Sequence, residues 1–308
     1  MLKRILLFVF VSFVLTISAW TQSRYAVIPE SPRPGEPVTI GVELSAAGDV
    51  KEALLFANGR QLARSGFFYI AAGSGKPGFL AAVFTVPSTA RPGDAVIRLN
   101  NENGIVSEIP ITISARDFAS ETIHLNPVLT GIRTDPSPQR TDEANLLWHI
   151  LSTTGNQVYH TGPFLPPVVS TRRTSAFGGR RVFQYSDGNS DTSIHAGVDF
   201  GVPTGTRVDA CGAGRVALAR MRIVTGNSVV IEHAPGIYSL YYHLDSIDVN
   251  EGDIVKTGTQ IGLSGSTGLS TGPHLHWEIR VNTENTDPDA FVHRLIIDKN
   301  QIISRIYN

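Results

Sequence analysis

The chain has 308 residues, 42% of them hydrophobic, with 26 basic and 27 acidic side chains and a formal net charge of −1. That balance excludes a protein working by bulk charge on nucleic acid or an acidic membrane surface, and the length is enough for about two domains. The single cysteine, Cys211, excludes an intrachain disulfide framework even in an oxidising compartment.

Lys3 and Arg4 precede an apolar run over residues 5–17 that only Ser12 and Thr16 interrupt, and Ser18-Ala19 follow. A basic start, a short apolar middle and small residues predict a secretory signal peptide over residues 1–19. An uncleaved anchor is the rival reading, but the run is shorter than the roughly 20 residues a spanning helix needs. With no cysteine near this point, a lipid-anchored mature terminus is not expected, nor stable membrane insertion after signal removal. Loss of Lys3 and Arg4 from the 26 basic residues leaves 24 against 27 acidic ones, near −3, in a protein expected in the periplasm or outside the cell.

Residues 24–115 read as short strands between turn signals. Pro32-Arg33-Pro34-Gly35 precedes a strand over 38–44, Asn58-Gly59 follows one over 53–57, and Arg91-Pro92-Gly93-Asp94 precedes one over 95–99. Asn103-Gly104 turns into a last strand over 109–114. Asn-Gly pairs between apolar runs are strong hairpin signals, and this spacing predicts an immunoglobulin-like β-sandwich of about 90 residues. No constellation there suits chemistry, so a spacer or wall-contact module is the expectation.

Residues 116–168 read as a connector, with a loop at Asp135-Pro136-Ser137-Pro138 and one short helix over 142–151. His124, His149 and His160 fall in it without partners at ligand spacing and read as surface or structural histidines. From 170 to about 280 the texture changes to many glycines and short strands with almost no helical periodicity, predicting a compact, mostly antiparallel β domain, with bounds set at 169–298. Cys211 lies in its apolar run Val208-Asp209-Ala210-Cys211 and reads as a small buried core residue.

That domain carries the chemistry. In His274-Leu275-His276-Trp277-Glu278-Ile279-Arg280-Val281 the residues alternate, with His274, His276, Glu278 and Arg280 on one side of a strand and the apolar residues on the other. Two imidazoles two apart suit one metal site, although an isolated His-x-His is more often a pair of surface histidines. His195 and Asp199 in Ser193-Ile194-His195-Ala196-Gly197-Val198-Asp199 are four apart. Gly197, Gly201 and Pro203 argue for an extended segment over a helix. Ser239-Leu240-Tyr241-Tyr242-His243-Leu244 predicts a strand with Tyr241 and His243 on one face. His195, Asp199, His243, His274 and His276 are thus five candidate ligands or acid/base groups in one β domain. A catalytic zinc takes three protein ligands and keeps one position for water, which leaves two histidines to move protons or hold an oxyanion.

Residues 170–280 resemble the lysostaphin/LytM-type zinc endopeptidases of the bacterial cell wall. The strings that carry the likeness are Ser175-Ala176-Phe177-Gly178-Gly179-Arg180, His195-Ala196-Gly197-Val198-Asp199, Gly205-Thr206, Tyr242-His243-Leu244 and Gly265-Ser266-Thr267-Gly268-Leu269-Ser270-Thr271-Gly272-Pro273-His274-Leu275-His276. The resemblance implies that His195, Asp199 and His276 bind zinc, with His243 and His274 as the catalytic pair. It implies peptidoglycan stem or cross-link peptides as substrate. Trp277 stands where Phe is usual and Ala196 where Thr or Lys is common. The long insertion over 182–192 is expected to form a loop on the groove rim. His233 matches a frequent family histidine but reads as the end of a structural strand. The rival reading is a non-catalytic cell-wall binding or amidase-activating module of the same fold. Such relatives typically lack some of the five positions, and all five are present here. A regulatory protein partner is left open.

Overall fold

The computed structural model describes residues 25–45, 50–71, 73, 75–292 and 294–307. The expected signal peptide falls outside the described residues. The N-terminal part consists of β1 (Tyr25–Ile28), β2 (Pro37–Glu43), β3 (Glu52–Ala57), β4 (Arg60–Gly66), β5 (Phe68–Ile70), β6 (Phe79–Thr85), β7 (Gly93–Asn101) and β8 (Gly104–Ile113). They form two antiparallel sheets, β1-β2-β6-β5 and β4-β3-β7-β8. The period of two decides what meets in the middle. Ala95, Ile97 and Leu99 of β7 and Ile109, Ile111 and Ile113 of β8 are buried against Ile40 and Phe84 of the opposite sheet. Asn58 and Gly59 adopt left-handed φ of 51° and 70°, the conformation a two-residue hairpin between twisted strands requires.

Residues 116–168 are more than a tether. β9 (Ser120–His124) pairs in parallel with β11 (Arg180–Gln184), and β11 pairs in turn with β12 (Ser190–Ile194). The insertion over 182–192, expected as a rim loop, is therefore an antiparallel hairpin whose backbone groups are paired on both sides of β11. Two helices follow β9: α1 (Pro127–Thr134) and α2 (Pro138–Ser152). Each has proline at its first position after a side-chain cap, Asn126 on Leu129 N and Ser137 on Arg140 N. Proline has no N–H to leave unpaired there, so α2 begins four residues before the expected 142, and α1 appears where only a connector was read.

The C-terminal part is built on a ten-stranded antiparallel sheet. Its main path runs through β10 (Arg173–Ser175), β13 (Val198–Phe200), β20 (Leu275–Val281), β17 (Ile237–Ile247), β16 (Gly226–Ala234), β15 (Gly214–Arg222) and β18 (Ile254–Val255). β14 (Arg207–Asp209), β19 (Gln260–Ser264) and β21 (Glu284–Thr286) pair along its margins. Leu275, Trp277, Ile279 and Val281 enter one core with Cys211, Tyr241 and Leu244. On the other face Leu151 of α2 packs with Leu218, Val230, Tyr238, Leu240 and Tyr242. After a short α3 (Asp289–Val292), α4 (Lys299–Ile306) returns to β1 and β2, where Ile302 lies so close that a Cβ on Gly41 would come within 2.3 Å of it. The outer residues of the first sheet, Ala26, Phe79, Ala81 and Val83, thereby share the C-terminal core.

Candidate metal centre

Three neighbouring strands bring the candidate residues to one level. In the order β13-β20-β17, Asp199 pairs with His276, and His276 with Tyr242. Cross-strand partners project from the same face. The Tyr242 and His276 rings accordingly stack at 5.6 Å with 3° between planes. β13 can lie this close to β20 only because residue 197 has no side chain. A Cβ there would sit 2.1 Å from the Trp277 carbonyl oxygen. Gly197→Ala is expected to pry β13 from β20, at the upper end of overpacking costs or beyond, about 3 kcal/mol or more. Calorimetric melting reads this directly, and an unchanged melting temperature would refute the tight packing.

His195 reaches the same point from the end of β12. Its Nδ1 lies 2.7 Å from the Ala176 carbonyl oxygen, which can only accept, so Nδ1 carries the proton and Nε2 a lone pair. That Nε2 is 3.1 Å from Asp199 Oδ1 and 3.1 Å from His276 Nδ1. His276 is fixed the same way from its other side. Its Nε2–H donates to Glu278 Oε1 at 3.0 Å, leaving Nδ1 at 2.7 Å from Asp199 Oδ1. Glu278 is in turn bonded to Arg280 Nε at 2.7 Å. One ligand atom from each of His195, Asp199 and His276 lies within 4.8 Å of the others, and all three residues are buried.

Two nitrogen lone pairs and an anionic oxygen turned on one another repel unless a positive charge sits between them. Burial works to lower the His276 pKa, yet the Asp199 and Glu278 carboxylates overcome it and hold the imidazole up to about 9. Burial opposes the charge on Asp199 too, but its hydrogen bonds to His195 and His276 keep its carboxyl well below the usual range. Burial pushes the His195 imidazole down. A cation would supply that positive charge, and two imidazoles with one carboxylate form a donor set that zinc favours. The carboxylate behind His276 is the arrangement that fixes a ligating imidazole's tautomer.

His243 and His274 stand beside this group, their rings 4.8 Å apart, with His243 6.1 Å from His276. His243 adopts φ +63°, a costly conformation for a residue with a Cβ and one that gathers at functional sites. It overturns the two-residue alternation expected for this strand. Tyr241 turns into the core with its hydroxyl on Cys211 N, whereas Tyr242 and His243 both line the cleft. His243 Nδ1–H donates to the Thr267 carbonyl at 2.7 Å, and His274 Nδ1–H to the Gly272 carbonyl at 2.7 Å. The Thr267 loop comes that close because Gly226 is bare and left-handed at φ +65°. A Cβ there would meet Thr267 Oγ1 at 2.1 Å. Burial, reinforced by His274 and His276, pushes His243 down to about 3, so its imidazole is neutral. His274 Nε2 is 3.8 Å from Asp199 Oδ1.

The five residues line a cleft of about 240 Å³, with Ile123 and Leu125 as part of its wall. A second hollow of about 340 Å³ shares Ile123, Asp199, Thr271 and His274 with it. The groove therefore continues past Asp199 and His274. His233 is elsewhere, buried against Phe164 with Nδ1 on the Ala213 carbonyl. His160 is near it; neither His124 nor His149 lines either hollow. Sequence reading put Glu278 on the polar side of its strand without a role, and Arg181, whose Nη2 lies 3.0 Å from Asp199 Oδ2, was not singled out. The period of two would have flagged Glu278, two residues beyond His276. Nothing local flags Arg181, which lies 18 residues from its partner.

Residues 193–288 match the family model Peptidase family M23. The DD-carboxypeptidase/endopeptidase Mpg of Neisseria meningitidis serogroup B is 38% identical over 135 residues, 44% of this chain and 30% of that protein. The peptidoglycan DD-endopeptidase ShyA of Vibrio cholerae is 47% identical over 87 residues, 28% of this chain and 20% of that protein. The chain thus spans under a third of the length of these curated relatives. A solved peptidase M23 structure from Pseudomonas aeruginosa is similar over 85% of this chain and 94% of its own, with a TM-score of 0.59 and 23% identity. That likeness shows a shared fold, and it takes in the N-terminal sheets as well.

Proposed function

We propose that this chain, whose residues 193–288 match Peptidase family M23, is a zinc-dependent endopeptidase acting on stem or cross-link peptides of peptidoglycan. The observation that carries the proposal is the convergence of His195, Asp199 and His276 at the floor of a groove. We assign these three as the zinc ligands and His243 with His274 as the catalytic pair. The peptidoglycan substrate is supported by the names of the Neisseria and Vibrio relatives. We propose that the protein acts in the cell envelope, periplasmic or secreted. Residues 24–115 are proposed as a spacer or wall-contact module. Among the described residues no helix is long and apolar enough to cross a membrane.

A zinc ion bound here would supply a Lewis acid for a peptide carbonyl and for water. The chain's own residues do the rest. Glu278 and the Ala176 carbonyl hold the two ligand imidazoles in the tautomer that offers a lone pair. Their hydrogen bonds to the Thr267 and Gly272 carbonyls hold His243 and His274 with Nδ1 protonated, leaving Nε2 of each to accept or return a proton in the cleft. Either ring, once its Nε2 has taken up that proton, would hold an oxyanion. Gly272, where an added Cβ would meet nothing within 4 Å, leaves that side of the groove open to a substrate backbone.

Purified peptidoglycan incubated with the protein should release peptide fragments, and a zinc chelator should stop the release until zinc is restored. Mass analysis of the fragments names the bond. Wall binding without release, indifferent to chelator, would instead support an adaptor.

A further inference from the structure

Resting on the metal reading above, we propose that Arg181 is a positioning residue for the metal centre, fixing Asp199 as a one-oxygen ligand and tying it to the strand of residues 120–124. Asp199 turns Oδ1 toward the two ligand imidazoles. Its other oxygen, Oδ2, accepts from Arg181 Nη2 at 3.0 Å. The terminal torsion of an aspartate is broad, so an unrestrained carboxylate can rotate and offer a cation either oxygen or both. The guanidinium occupies the second oxygen and removes that freedom.

Arg181 is itself held on three sides. Nη2 also donates to Ser175 Oγ at 2.7 Å, and Nε donates to Glu121 Oε1 at 2.6 Å. Ser175 Oγ closes the ring by donating to Glu121 at 3.2 Å. Its side chain is only 15% exposed. Its neighbour Arg180, on the opposite face of β11, donates instead to the Gly178 and Ser88 carbonyls. The contact therefore belongs to residue 181 and not to a generally basic strand. Glu121 comes from β9, so a segment outside the match over residues 193–288 reaches a metal ligand through one guanidinium.

Charge and geometry pull in opposite directions here. A cation beside a zinc site weakens metal binding by repulsion, whereas an oriented ligand strengthens it. Arg181→Lys keeps the charge and removes the planar fork that bonds Asp199, Ser175 and Glu121 together. In the full chain, zinc affinity measured by competition with a chromogenic chelator should fall about 10- to 100-fold in Arg181→Lys, the range for partners that orient a ligand. The cobalt(II)-substituted protein should show a weaker visible band as Asp199 turns its second oxygen to the metal. Glu121→Gln should weaken zinc binding in the parent and have a smaller effect in the Arg181→Lys background. Parent-like affinity and cobalt spectrum in a folded Arg181→Lys overturn the proposal. Should that variant fail to fold, Glu121→Gln alone decides: a loss of affinity supports the proposal and parent-like affinity overturns it. A parent chain that takes up no zinc overturns the metal reading itself, and this proposal with it.

Discussion

His276→Ala and Asp199→Ala are each expected to yield a folded protein that retains no zinc through dialysis and releases no peptide from the wall. The residues behind the site already divide the labour. His195 owes its orientation to the Ala176 carbonyl and His276 to Glu278, so neither imidazole can compensate by turning. Removing His276 leaves one nitrogen and one oxygen, and removing Asp199 leaves two nitrogens with no anion to balance a divalent charge. Loss of a partner that merely orients a ligand costs about 10- to 100-fold in metal affinity, and loss of the ligand itself should exceed that. Activity should fall by at least about 10³-fold, the equivalent of several kcal/mol of charge stabilisation in the transition state. Metal analysis of the dialysed variants, beside their circular dichroism, separates this from unfolding. Full zinc content in either variant would sink the ligand assignment, whatever its activity.

How much of this was legible before the structure depends on the distance over which each contact is made. The strand of His276, Glu278 and Arg280 obeys the period of two through its whole length, and its apolar partners Leu275, Trp277, Ile279 and Val281 all fall in the core. Gly197 announces that something passes close by, and the passing group is the Trp277 backbone. The strand through His243 was misread because alternation assumes extended backbone at every residue, and φ +63° at His243 breaks the count at the one position where it matters. The hairpin β11–β12 was misread as a loop because its residues, Arg180–Gln184 and Ser190–Ile194, are largely polar, although Asp187-Gly188 between them is a turn signal; what no local signal could show is that β11 also pairs with β9, a parallel neighbour about 60 residues earlier. Parallel pairs of that separation leave no local pattern. The same limit hid Arg181, whose three partners lie at residues 121, 175 and 199.

His274→Ala and His243→Ala should fail differently from the ligand variants: each keeps its zinc and loses turnover. Neither ring makes one of the close three-way contacts at the candidate centre, and His274 Nε2 stands off at 3.8 Å from Asp199 Oδ1. A single proton-transfer group contributes typically 10²- to 10⁴-fold, and an oxyanion donor about 10²- to 10³-fold. The expected result for each variant is therefore a loss of about 10²- to 10⁴-fold in kcat on a defined wall peptide, with zinc content and KM little changed. The two rings are 4.8 Å apart, close enough to act on one substrate carbonyl. The double variant should consequently lose far less than the product of the single losses, because groups that act as a unit fail as one. His243→Ala carries an extra consequence. Removing its ring releases the Thr267 carbonyl, but alanine still bears the left-handed backbone, so some destabilisation accompanies the kinetic loss. His243→Asn, which tolerates that conformation better, should melt closer to the parent while remaining inactive. An active His274→Ala, or a His243→Asn that turns over at the parent rate, would remove that residue from the chemistry and leave the zinc site to work with the other alone.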